Sequence, residues 1–218
     1  MGEKSLHWEI FSKKHLAILP KLTFLKKLGF YLAGGTALAL QIKHRISVDF
    51  DFYSQNRFDS NKIYQMFQEQ KPKKLLLDTM AENTLILEIN NIGISLFTYS
   101  YLLIKPSIIT KYLNIASLED IATMKLIAII QRGVKRDFID LYCLCKELGL
   151  ENILTLTGKK YAGFNKYLAL QAIVYFQDAE KKQTREMKML KPLNWEDVKE
   201  YFVNETAKLK LKWSSNEK

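Results

Sequence analysis

AGGTALALQIKHRISVDFDFYS, residues 33–54, changes pattern three times, and those changes decide the fold. Just upstream, Phe30-Tyr31-Leu32 is an aromatic and aliphatic burst of strand character. Gly34-Gly35 then supplies a tight turn, and residues 37–40 are strong helix formers, so the order predicts strand, turn, helix. Over residues 48–53 apolar and acidic residues alternate with period two. That alternation puts Asp49 and Asp51 on one face of a strand and Phe50 and Phe52 on the other, one face for a site and one for the core.

Two carboxylates two apart on a strand converge and can share a hard divalent cation such as Mg²⁺, although a solvated edge strand shows the same alternation. Between strand and helix, Gly34-Gly35-Thr36 lets a phosphate approach backbone N–H groups where the helix dipole favours an anion. A plain turn with Thr36 as N-cap would satisfy the local chemistry equally. The combination discriminates, because one helix and a short loop separate the glycines from Asp49, which brings phosphate cradle and metal ligands to neighbouring strand ends. His44-Arg45 lies beside them, and a basic pair in a loop is usually solvated. A third run joins Asp120-Ile-Ala-Thr-Met-Lys125 to Arg132-Gly-Val-Lys-Arg136-Asp137-Phe-Ile-Asp140. Arg132, Arg136 and Asp140 recur every four residues and would align on one helix face if Gly133 leaves the helix intact; i,i+4 ion pairs explain that spacing equally.

Around this centre, residues 5–28 carry apolar positions at helical spacing broken at Pro20, which predicts two short helices. Residues 74–77, 84–89 and 92–99 predict strands, with Asn90-Asn91 and Gly93 as turn residues closing a hairpin. From Ser117-Leu-Glu-Asp120, a capping-box-like start, the pattern turns helical to Phe176 and again over residues 195–211. Phe50, Phe52, Tyr142, Tyr175 and Phe176 fall on apolar faces and are expected in the core.

Bulk properties narrow the function. With 218 residues, 48% apolar and 26% charged, the chain is long and apolar enough for a compact soluble fold. Its 33 Lys and Arg against 23 Asp and Glu give +10, which draws polyanions such as nucleotides or nucleic acid. Cys143 and Cys145 are the two cysteines, on different faces of an expected helix, so neither a disulfide framework nor a zinc site is encoded. No apolar run approaches the roughly 20 residues that cross a bilayer, and MGEKSLHWEI is charged early without an apolar leader core. The expectation is a cytoplasmic protein with no membrane partner. An aspartyl phosphatase would want a small hydroxyl residue two places after the second Asp, where Tyr53 stands, and neither that class nor a metal-dependent glycosyltransferase explains the upstream glycines.

The stretches GGTALAL, HRISVDFDFYS, DIATMK and RGVKRDFIDLY, in this order and with these gaps across residues 33–142, resemble the four motifs of the AbiEii/AbiGii-type nucleotidyltransferase toxins. Residues 175–180, YFQDAE, together with Trp195 are similar to the C-terminal helices of that family. The resemblance implies an α+β fold, with a polymerase β-like nucleotidyltransferase core built on a mixed sheet over residues 1–116, including N-terminal helices. A mostly helical C-terminal domain over 117–218 would complete the active site. It further implies the toxin half of a toxin–antitoxin or abortive-infection pair, transferring a nucleoside monophosphate from an NTP to an acceptor such as RNA, with a cognate antitoxin as partner. Gly34, Gly35, Thr36 and Arg45 would hold the triphosphate; Asp49 and Asp51 would bind Mg²⁺, with Mn²⁺ as an alternative; Lys125 would contact the phosphates. Arg132, Arg136, Asp137 and Asp140 match the last motif, in which a carboxylate orients or deprotonates the acceptor, and Asp120 belongs to the third. The third carboxylate usual in polymerase β-like enzymes has Ser95 in its place, which leaves Glu88 and Asp137 as candidates for activating the acceptor. The alternative is a module of this fold that binds nucleotide, nucleic acid or antitoxin without transfer.

Overall fold

A computed structural model describes residues 6–181 and 187–216, and the first five residues of the charged N-terminus lie outside those described. The chain divides into two compact units, residues 1–117 and 118–218.

The first unit opens with a 3-10 turn, Trp8–Ile10, and α1, Lys13–Lys27. Here the structure corrects the expectation of two short helices, because Pro20 sits inside α1 without ending it. Proline removes one backbone hydrogen bond and crowds the preceding turn. Burial of Ile18, Leu19, Leu22 and Leu25, each worth roughly 1.5–3 kcal/mol, holds the helix through it.

β1, Tyr31–Ala33, leads directly into α2, Gly34–Ile42, and β2, Phe50–Ser54, follows. After α3, Ser60–Glu69, come β3, Leu75–Ala81, β4, Thr84–Ile89, and β5, Ile92–Thr98; β6, Ile108–Ile109, and β7, Asn114–Ile115, close the unit. The seven strands make one mixed sheet in the order β3-β4-β5-β2-β1-β7-β6. β2 runs parallel to β5, and β1 parallel to β7; the other neighbours are antiparallel. Asn90 and Asn91, at φ +52° and +68°, make the tight turn between β4 and β5, as their side chains suggest. Gly93 is no turn residue: it lies inside β5, opposite Glu88.

The period-two pattern sorts the faces as expected. Phe50, Phe52, Leu85, Leu87, Ile94 and Leu96 are at most 1% exposed on one side of the sheet. α3 covers part of that side: Asp59 caps it by accepting the Lys62 N–H at 3.1 Å, and its Phe67 ring meets Phe24 of α1 at 5.0 Å. Asp51, Tyr53, Ser95 and Phe97 point the other way and are half-buried.

The second unit is helical: α4, Leu118–Arg132, α5, Lys135–Leu148, α6, Leu150–Lys160, α7, Lys166–Ala172, α8, Gln177–Lys181, and α9, Trp195–Asn216. Phe138 anchors it, with ring contacts to Phe176 at 5.5 Å, Trp195 at 5.9 Å and Phe202 at 6.2 Å. Tyr175 departs from the expected core, being 50% exposed, because the chain turns into α8 there and its hydroxyl donates to Gln177 Oε1 at 3.2 Å. Cys143 and Cys145 are unbridged, and burial pushes the Cys145 thiol up to about 12. No helix among the described residues is long and apolar enough to cross a membrane.

Candidate active site

Asp51 sits in β2 beside Ala33 of β1 and Ser95 of β5. Asp49 precedes the strand by one residue, so both acids leave the sheet on the same side. Each carboxylate rests on a glycine. A Cβ at Gly34 would stand 2.8 Å from Asp51 Oδ2, and a Cβ at Gly93 would stand 2.9 Å from Asp49 Oδ1. Gly34 is required twice over, since its φ of +68° is a conformation that L side chains rarely adopt. Asp49 is exposed and Asp51 half-buried, so both can meet a ligand from solvent.

Among the described residues no group of three or more His, Cys, Asp or Glu is placed to hold a metal ion. Two carboxylates without sulfur or imidazole nevertheless fit a hard cation. Mg²⁺ commonly takes one or two protein carboxylates and completes its shell with substrate phosphates and water.

The glycine turn is tied to the same place. Ala33, not Thr36, is the residue preceding α2. The Thr36 hydroxyl is buried, donates to the Asp49 carbonyl and pairs with the Ser47 hydroxyl at 3.0 Å, which fixes the loop carrying Asp49 onto α2. The first N–H groups of α2 are the part of this turn suited to an anion. Gly35 is small because the Arg45 guanidinium lies against it; Arg45 is itself buried and donates to the Ile46 carbonyl at 3.3 Å. His44 is buried too, against the expectation of a solvated loop pair.

His15 escaped the sequence reading. From α1 its ring stacks on Phe11 at 5.6 Å and its Nδ1 lies 2.7 Å from Ser12 Oγ. Burial lowers its pKa, while the charge of Asp49 and a hydrogen bond with the Val48 backbone oppose that shift. Nothing in the local spacing connects residue 15 to residue 49. Of the acids weighed for a third ligand, Glu88 stands opposite Gly93 and is bound by Lys74 Nζ at 3.1 Å. Ser95 is in register with Asp51, where the sheet would present an acid if there were one.

In the helical unit, the structure gathers most of the other candidates into two ion clusters around buried carboxylates. Lys125 Nζ lies 2.9 Å from Asp137 Oδ1 and 2.7 Å from Asp140 Oδ2. Arg132 grips Asp137 with two N–H groups, at 2.8 and 3.1 Å. Burial alone would lower the Lys125 pKa, but the charges of Asp140 and Asp137 and their hydrogen bonds outweigh it and hold the lysine above its usual value. For Asp137, burial pulls upward and is likewise outweighed, by Lys125 and Arg132, which hold the carboxyl below its usual range. Asp120 belongs to a separate pair, with Lys160 Nζ at 2.6 Å and both side chains fully buried. The expected four-residue ladder is broken: Gly133, at φ +52°, ends α4, so Arg132 lies on α4 while Arg136, which is exposed, and Asp140 lie on α5.

Residues 102–214 match the family model described as "Nucleotidyl transferase AbiEii toxin, Type IV TA system". The protein aq_aa25 of Aquifex aeolicus (strain VF5) is 36% identical over 179 residues, covering 79% of this chain and 84% of its own length. MenT4, a nucleotidyltransferase toxin of Mycobacterium tuberculosis H37Rv, shares the fold, with a TM-score of 0.50 over 88% of this chain and 82% of that one at 14% identity. The polyadenylate synthase of Megavirus gives a TM-score of 0.47 at 16% identity over 63% of this chain and 32% of that one, so the likeness spans about a third of the viral protein. With more than half of its length matched, in the region that holds Lys125, Arg132, Asp137 and Asp140, the chain belongs to the AbiEii nucleotidyltransferase toxin family.

Proposed function

We propose that this chain is the cytoplasmic toxin of a toxin–antitoxin or abortive-infection pair and transfers a nucleoside monophosphate from an NTP to an RNA acceptor, with Mg²⁺ or Mn²⁺ bound by Asp49 and Asp51. The observation that carries this reading is the placement of the two carboxylates on Gly93 and Gly34, beside the N-terminus of α2. Bound there, the metal would neutralise charge on the phosphate oxygens. The chain's own groups supply the rest. The N–H groups at the start of α2 receive the triphosphate, and Arg45 adds positive charge behind Gly35. The acceptor hydroxyl forms a P–O bond at the α-phosphorus as the bond to pyrophosphate breaks, an in-line displacement that depends mainly on positioning.

The acceptor proton needs a base. Asp137 is a weak one while Lys125 and Arg132 hold its pKa down, which favours Glu88 on the face that carries Asp51. In this reading residues 1–116 are the nucleotidyltransferase core and residues 117–218 a helical domain. Ser95 beside Asp51 favours a second reading, a nucleotide-binding module that does not transfer.

Transfer of label from each α-³²P-NTP to total bacterial RNA, with Mg²⁺, decides between them. Wild type should label RNA from at least one NTP and Asp51→Asn should not. No label from any NTP would leave the binding module; equal label from the mutant would overturn the metal assignment.

A further inference from the structure

Beside the carboxylates, on the same side of the sheet, five aromatic rings touch in series. Tyr31 of β1 stacks on Tyr53 of β2 at 6.1 Å and 27°. Tyr53 meets Phe97 of β5 at 5.7 Å and Tyr99 at 5.6 Å, and Tyr99 meets Tyr101 at 5.0 Å. The backbone carries the series outward, because the Tyr99 N–H extends the β2–β5 pairing by donating to the Ser54 carbonyl at 2.7 Å. Exposure rises along it, from Tyr31 at 3% through half-buried Tyr53, Phe97 and Tyr99 to Tyr101 at 45%. On the opposite face Phe50 and Phe52 are sealed. The two faces of β2 therefore treat aromatic rings differently, one closing them off and the other leaving them partly open next to Asp51.

We infer that this ladder, with Tyr99 and Tyr101 at its open end, is a stacking platform for the unpaired bases of a single-stranded RNA acceptor. The inference rests on the transfer reading above for the identity of the ligand as acceptor. Tyr53 is two strand positions from Asp51, about 7 Å along the backbone, and Tyr99 lies two positions further, about 13 Å from the level of Asp51, so a strand stacked on the open end would run back along the ladder toward the carboxylates. Charge complements the rings: residues 1–117 carry fifteen Lys and Arg against nine Asp and Glu, and Lys105, four residues past Tyr101, is exposed. Bases offer a π-face to such rings only where they are not already stacked in a duplex, which selects single strands.

The test is binding of a short fluorescein-labelled single-stranded RNA of mixed sequence, without NTP or metal, to wild type, Tyr101→Leu, Tyr101→Trp and Ile109→Ala. Ile109 is an equally apolar and more exposed residue on β6, at the far edge of the sheet. Tyr101→Leu should weaken binding roughly 5- to 150-fold, Tyr101→Trp should restore it, and Ile109→Ala should match wild type. Unchanged binding by Tyr101→Leu, an equal loss in Ile109→Ala, or a wild type indifferent to single-stranded RNA would overturn the platform. Melting temperatures and Mg²⁺–NTP binding of the same variants should be unchanged, and loss of either with RNA binding would return the ring to a structural role. The two readings fail separately: transfer retained by Asp51→Asn sinks the metal site and leaves the RNA result standing, while intact RNA binding by Tyr101→Leu sinks the ladder and leaves transfer standing.

Discussion

The sheet unit and the helical unit use the same acids and bases in opposite ways. Asp49 and Asp51 are left facing outward, supported from below by glycines that give up their side chains. Asp137 and Asp140 are sealed, with Lys125 and Arg132 bound to them. A buried charge costs several kcal/mol unless paired, so the helical cluster is a structure that needs all its members. A carboxylate that solvent reaches costs less to keep charged. Removing a charge should therefore cost activity in one unit and stability in the other.

The largest expected effect is at Asp49. Asp49→Asn should lower transfer on the order of 10³-fold or more, the equivalent of several kcal/mol of lost metal stabilisation, while unfolding free energy shifts by no more than about 0.5 kcal/mol. Lys125→Met should do the converse first. With Asp137 and Asp140 left buried beside a neutral side chain, unfolding free energy should drop by roughly 3–5 kcal/mol, read by urea denaturation. A stable Lys125→Met protein that fails only in NTP binding would erase the contrast between the units.

That contrast was only half legible in the sequence. The pattern around Asp49-Phe-Asp51 and the glycine turn is local: neighbours two positions apart determine which side of a strand they take. Five of the seven strands, the Asn90-Asn91 turn and the helical second half were readable for the same reason, while the two-residue strands β6 and β7 were not. What was hidden depends on distance or on competition between effects. Lys160 meets Asp120 across 40 residues, and His15 meets the Asp49 loop across somewhat fewer, with no spacing to announce either. Gly93 looks like a turn glycine until the Asp49 carboxylate is found lying on it. Pro20 and Gly133 are both helix breakers by propensity, yet packing overrides the first and the second ends α4. The charge spacing at Arg132, Arg136 and Asp140 was real in the sequence and was dissolved by that break.

A smaller effect sharpens the comparison within the sheet unit. Gly34→Ala sets a methyl group 2.8 Å from Asp51 Oδ2 and asks for φ +68° from an L side chain. The strained backbone should cost roughly 1–3 kcal/mol of stability, and the displaced carboxylate should weaken Mg²⁺-dependent NTP binding in the same variant. Normal Mg²⁺-dependent NTP binding by Gly34→Ala would show that the Asp51 carboxylate does not depend on the glycine beneath it.

The smallest effect expected is that of pH within the neutral range, and its sign follows from the buried cluster. Asp137 is depressed below its ordinary 3.8, so its contribution to stability is complete above that value and is lost as pH falls through the lower folded-state value. Lys125 is raised above 10.5, so its contribution is complete below that value and is lost as pH rises through the higher one. Between these limits neither group changes protonation on unfolding, and the cluster adds no slope to stability across pH 5–9. Urea midpoints of wild type and of Asp137→Asn compared over pH 3–9 would isolate the acid limb: the gap between the two proteins should be constant above pH 5 and narrow toward pH 3. A gap that instead opened or closed around neutrality would mean that Asp137 is not held ionised by Lys125 and Arg132.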